Sequence, residues 1–204
     1  MDQGRQGRGR AAPEGTINWP GTLLNGRPRV REDLLYRLRS RTAHELWLVI
    51  VDASASTRRH SALSDAKGLL AQLFDDAYRQ RARLALLTAS GRTPSWQVQG
   101  LKASADLRQW LEGLGAGGGT PLLQALEEAG QWLARRQRCF PAEQQRVLLI
   151  TDGRLKSLPP LAPLNCPALL IDIERGPIRL ARAQPLATAL GAEYRHIDQM
   201  PPSA

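Results

Sequence analysis

Three observations in the sequence predict an α/β fold: a single doubly wound, mostly parallel sheet flanked by helices, with an N-terminal extension. Leu46 to Val51 (LWLVIV), Arg146 to Thr151 (RVLLIT) and Ala168 to Ile173 (ALLIDI) are nearly unbroken apolar runs, the pattern of strands buried on both faces of a parallel sheet. Segments with helical period alternate with these runs. The first two runs each lead straight into an aspartate, Asp52 and Asp152, at the carboxyl end where an open parallel sheet keeps its ligand crevice.

Taken in order, residues 1–16 (MDQGRQGRGRAAPEGT) hold almost nothing to bury and read as a flexible basic arm. Residues 17–45 read as an N-terminal strap followed by a short helix, both packing on the core. Pro20 and Gly21 forbid a long element in INWPGTLLN, and Arg31 to Ser40 sets Leu34, Leu35 and Leu38 on one helical face. The main domain is expected over residues 46–198. Its first covering helix runs from Ser61 to Arg79, with Leu63, Ala66, Leu70, Phe74 and Ala77 turned inward. Arg83 to Thr88 and Ser95 to Gln99 should form a hairpin across the turn at Gly91 to Pro94. Helices follow from Ser104 to Leu114 and from Thr120 to Arg136. Leu158 to Pro167 carries four prolines and reads as a rigid loop. Pro177 to Leu190 has helical period with Pro185 as an interruption, Glu193 to Ile197 is a last edge strand, and residues 199–204 are a tail.

The chain of 204 residues suits one core with flanking arms. At 42% hydrophobic and 23% charged residues, it is neither collagenous nor wholly disordered. The net charge of +9 is nearly all arginine, since Lys67, Lys102 and Lys156 are the only lysines. That excess fits either a coding bias or a surface for phosphates and acidic protein. Cys139 and Cys166 have neither C-x-x-C spacing nor nearby histidines, so they read as free thiols in a reducing cell. Without an apolar leader or an 18-residue apolar run, the expected location is the cytoplasm, away from the membrane.

The residues that carry chemistry fall in three places. Asp52-Ala53-Ser54-Ala55-Ser56 follows the first buried run, and Thr151-Asp152-Gly153-Arg154 follows the second. Between them lies Gly115-Ala116-Gly117-Gly118-Gly119-Thr120-Pro121. A hard divalent cation takes near-octahedral oxygen ligands at about 2.1 Å and keeps several waters. The alternation in D-x-S-x-S aims two hydroxyls and a carboxylate at one point, the glycine-rich loop brings Thr120 from a second side, and Asp152 arrives from a third.

Together these segments resemble the metal-ion-dependent adhesion site of von Willebrand factor A (VWA) domains. Over about residues 17 to 175, INWPGTLLN, DLLYRLR, VDASAST, AKGLLAQLFDDAYRQRARLALLT, GGGTPLLQAL and LLITDGR resemble the C-terminal domain of magnesium chelatase D subunits and their cobaltochelatase relatives. The resemblance implies Mg²⁺, or Mn²⁺ in its place, held by Ser54, Ser56 and Thr120 with Asp52 and Asp152 direct or through water. It leaves one coordination position for a partner's carboxylate, with Arg58, Gly119, Pro121 and Arg154 as candidates to meet that partner. It implies a non-catalytic adaptor that docks an AAA+ ATPase subunit of the chelatase I type, a large cobalt or magnesium chelatase subunit, or both, in tetrapyrrole or cobalamin synthesis. The sequence departs from the family's D-A-S-G-S-M at Ala55 and Thr57, and the ATPase-like domain and acidic linker of D subunits have no counterpart in it.

Other classes fit less well. The sequence has no G-x-x-x-x-G-K-[ST] phosphate loop, so an ATPase must act in trans. A phosphoryl-accepting Asp52 would need a second aspartate two residues on, where Ser54 stands. His44, His60 and His196 read as structural or surface residues. Nine arginines and four carboxylates fall within residues 1–41, a local excess that could meet RNA, but the aromatic interleaving used to stack bases is missing. An adaptor for an unrelated MoxR-type AAA+ ATPase is the second reading of the same metal site.

Overall fold

The computed structural model describes residues 15–38, 44–53, 62–102, 106–115, 121–155, 157–175 and 180–200. The chain divides after Thr42 into two compact units. In the first, strand β1 (Gly15–Ile17) and strand β2 (Tyr36–Leu38) pair antiparallel, with helix α1 (Trp19–Leu24) between them. Pro20 sits in the first turn of α1, where its missing N–H costs nothing, and the Asn18 side chain caps that turn by accepting from Gly21 N at 3.2 Å. The loop is closed by Asn18 N donating to Leu35 O at 2.7 Å and Leu35 N donating to Thr22 Oγ1 at 3.0 Å.

The helix expected over Arg31 to Ser40 does not form. Arg31–Asp33 is a single 3₁₀ turn and Tyr36–Leu38 is strand, while residues 39 and 40 lie outside the described set. Asp33 accepts the Arg29 and Val30 backbone N–H groups at 2.8 and 3.1 Å, which stops the chain as a turn, and pairing with β1 then fixes an extended backbone. Gly15 and Thr16, read as the end of the arm, belong to β1.

The second unit is built on a six-stranded sheet. Its strands are β3 (Glu45–Asp52), β4 (Arg83–Ala89), β5 (Ser95–Lys102), β6 (Gln144–Thr151), β7 (Ala168–Asp172) and β8 (Glu193–His196), in the order β5-β4-β3-β6-β7-β8. All neighbours are parallel except β4 and β5, which form the expected hairpin. The chain leaves β3 toward β4 on one side and returns to β6 on the other. That reversal makes the carboxyl ends of β3 and β6 the switch point of the sheet.

Alternation along the strands sorts the core into two layers. Leu46, Leu48, Ile50, Leu87, Leu149 and Leu170 pack against helices α4 (Leu122–Cys139) and α5 (Ala183–Leu190). Val49, Val51, Leu84, Leu86, Leu148 and Ile171 pack against helices α2 (Ala62–Arg79) and α3 (Asp106–Gly113). Burial on both faces is why these strands read as continuous apolar runs.

Two helix starts differ from expectation. Pro121 takes the N-cap of α4, with no side-chain cap, and Thr120 lies outside the described residues. Helix α5 begins at Ala183, so Pro185 falls in its first turn and starts the helix instead of interrupting it. Among the described residues no helix is long and apolar enough to cross a membrane.

Candidate functional site

Parallel register places Val51 opposite Ile150, so the next residues, Asp52 and Thr151, meet at the switch point. Both side chains lie on the α4 face by alternation, with Asp52 1% exposed and Thr151 fully buried. The Thr151 hydroxyl donates to Asp52 Oδ2 at 2.8 Å and accepts from Gly153 N at 3.0 Å. One hydroxyl thus ties the end of β3 to the turn that follows β6.

Asp152 is 4% exposed, and its Oδ1 accepts from Arg154 N at 3.1 Å. Gly153 makes this turn possible. Its φ is +65°, and a Cβ there would lie 2.5 Å from the backbone nitrogen of Ala183, so the turn is pressed directly onto the start of α5. Pro121, another expected partner contact, is half-buried at the head of α4.

The donor chemistry fits a hard divalent cation. Two nine-tenths-buried carboxylates lie at the carboxyl ends of the neighbouring strands β3 and β6, an arrangement that is costly unless a cation or hydrogen bonds compensate it. At the same end of the sheet Thr88, opposite Val51, is buried with its Oγ1 lacking a hydrogen-bond partner among the described residues. Ser54, Ser56, Arg58, Gly119 and Thr120, with the departures Ala55 and Thr57, lie outside the described residues. Among those described, no group of three or more His, Cys, Asp or Glu side chains could hold a metal, and the expected set has only two carboxylates beside its hydroxyls.

Beyond the expected residues lies a second buried polar group, at the ends of β7 and β8. Asp172 (2% exposed) accepts from the Tyr194 hydroxyl and from Glu174 N, both at 2.8 Å. Glu174 (2% exposed) accepts from Leu180 N and Ala181 N at 2.9 and 3.2 Å. His196 is structural as expected: its Nε2 lies 3.1 Å from Glu174 O, and its Nδ1 accepts from Asp198 N at 3.2 Å. The signal for this group was the third apolar run, which also closes on a carboxylate with another two residues on. Tyr194 and His196, its partners from β8, lie 22 residues further on, which hid it.

Burial pushes the Asp172 carboxyl above its ordinary range, and the adjacent Glu174 charge adds to the rise. The bonds from Glu174 N and the Tyr194 hydroxyl, and the nearby His196, pull the other way. The folded chain therefore holds this proton more tightly than the unfolded chain. That contribution to stability is complete below the ordinary carboxyl value of 3.8 and is lost as pH rises through the raised value. Asp172→Asn should flatten this dependence: urea midpoints at about pH 4 and about pH 7 should show the variant gaining on wild type at the higher pH.

Residues 47–154 match the family model for the von Willebrand factor type A domain. The magnesium-chelatase 60 kDa subunit of Cereibacter sphaeroides is 31% identical over 172 residues, covering 75% of this chain and 30% of that protein. The Mycobacterium tuberculosis protein Rv2850c is 25% identical over 180 residues, covering 83% of this chain and 29% of that protein. The chain thus spans under a third of the length of these curated relatives. An aerotolerance-related membrane protein from Bacteroides fragilis shares the fold with a TM-score of 0.56 at 16% identity, covering 77% of this chain and 92% of that one. The SpRpn10 VWA domain does so at 0.52 and 11%, covering 78% and 91%. With its six-stranded sheet, its switch-point aspartates and this match over residues 47–154, the chain belongs to the von Willebrand factor type A domain family and is distantly related to magnesium-chelatase 60 and 67 kDa subunits.

Proposed function

We propose that the chain is a non-catalytic adaptor of a chelatase-type assembly, docking an AAA+ ATPase, a large chelatase subunit, or both through a Mg²⁺-dependent adhesion site. The observation that carries this reading is the pair of buried aspartates, Asp52 and Asp152, brought to the switch point and braced by Thr151. Asp52, Ser54, Ser56, Thr120 and Asp152 would hold the ion. When bound, the ion supplies an open coordination position for a partner's carboxylate. Thr151 fixes the Asp52 carboxylate, the Gly153 turn that follows Asp152 is pressed onto the start of α5, and apolar layers pack both faces of the sheet that carries them. Relatedness to magnesium-chelatase subunits supports the choice of partners.

The test is capture of purified chelatase I-type ATPase and large chelatase subunit by wild type and by Asp52→Ala, each in Mg²⁺ and in EDTA. Wild type should capture in Mg²⁺ alone, and Asp52→Ala in neither condition, with folding checked by circular dichroism. Equal capture in all four arms would show that no metal mediates docking. Mg²⁺-dependent capture of a MoxR-type ATPase in place of both chelatase subunits would keep the adhesion site and replace the partner.

A further inference from the structure

Arg154 stands between two buried carboxylates on neighbouring strand ends. Its Nε lies 3.4 Å from Glu174 Oε1 and 3.9 Å from Asp152 Oδ2. The two anions hold it differently. Glu174 is clamped, because its Oε2 accepts the Leu180 and Ala181 backbone N–H groups ahead of α5. Its Oε1 has no aligned hydrogen bond among the described residues and turns its charge toward the guanidinium. The Arg154 side chain is 30% exposed, so it has room to shift between the two.

A guanidinium and a divalent cation compete for the same carboxylate, since each neutralises the charge that draws the other. The geometry therefore decides whether Asp152 is open to an ion. Starting from the metal reading above, we infer that Glu174 is a positioning residue for that site. It holds Arg154 off Asp152 and so keeps this carboxylate available to Mg²⁺. Without the Glu174 charge, Arg154 closes onto Asp152, the one remaining anion beside it among its described contacts, and the ion must displace it.

Mg²⁺ alone, titrated calorimetrically into the folded chain, tests this. Glu174→Gln keeps the size of the side chain and an oxygen for Leu180 and Ala181 while removing the charge. It should weaken Mg²⁺ binding by about tenfold, and Arg154→Gln added to it should return the affinity to wild type or tighter. A packing role for Glu174 would give no such rescue, and urea midpoints keep loss of fold apart from loss of metal. Unchanged affinity in Glu174→Gln, or no recovery in the double variant, would overturn the positioning role while wild type still binds. A wild type that takes up no Mg²⁺ overturns the metal reading and this role with it.

Discussion

Gly153→Ala is expected to lose about 3 kcal/mol of folding stability, read as a shift of the urea midpoint by about 1 M or more at unchanged slope. Two costs combine at this position. The φ of +65° is left-handed backbone, which costs a residue with a Cβ about 1 to 2 kcal/mol. The added methyl would also meet Ala183 N at 2.5 Å and its Cα and Cβ at 2.9 Å, and helix backbone cannot step aside as a flexible side chain would. Gly91 separates these costs. Its φ is +72° and a methyl added there would meet nothing within 4 Å, so Gly91→Ala should lose only the backbone share, about 1 to 2 kcal/mol. Because Gly153 sits between Asp152 and Arg154, its substitution should also weaken Mg²⁺ binding, whereas Gly91→Ala should not.

The fold was legible where burial is two-sided. LWLVIV and RVLLIT carry the pattern of strands buried on both faces, and the sheet order sets them side by side at its centre with their closing aspartates at the carboxyl end. The hairpin of β4 and β5 was legible from Gly91 and the alternation after it. The segment around Leu34, Leu35 and Leu38 was misread because three leucines at helical spacing in so short a span are too few to nucleate a helix against a competing turn and strand pairing. What decided it was pairing with Gly15–Ile17, some twenty residues earlier. Pro185 was misread as an interruption because its effect depends on where the helix begins. In the candidate site, Asp52 and Asp152 were legible from position along the chain. The Thr151 bridge was not, since it joins residues that only the sheet order makes neighbours, and the Glu174 clamp was not, since it depends on how the loop ahead of α5 folds back on that side chain.

The second large effect belongs to the opposite end of the sheet. Arg136, near the end of α4, and Glu143, just before β6, form a two-point ion pair, Nε to Oε2 at 2.5 Å and Nη2 to Oε1 at 2.9 Å. Their side chains are only 12% and 5% exposed. The guanidinium also lies over Trp132 and Phe140, 5.3 and 4.7 Å from the ring centres. It is seated against Gly100, whose φ of +71° accompanies one of the two register shifts between β4 and β5, the one between Leu84 and Ala85. Arg136→Ala leaves the Glu143 carboxylate buried and unpaired and strips one face of Trp132, so about 3 to 5 kcal/mol should be lost in urea titration. Replacing both partners by apolar residues, Arg136→Met with Glu143→Leu, should recover most of that, because the cost lies in the abandoned charge more than in the lost attraction. Neither variant should change Mg²⁺ affinity while folded, since Arg83 pairs with Lys102 beside Gly100 at the amino end of β4, a full strand length from Asp52. A chain that loses stability without losing metal here, and metal without much stability in Glu174→Gln, would show that the two ends of one sheet carry separate duties.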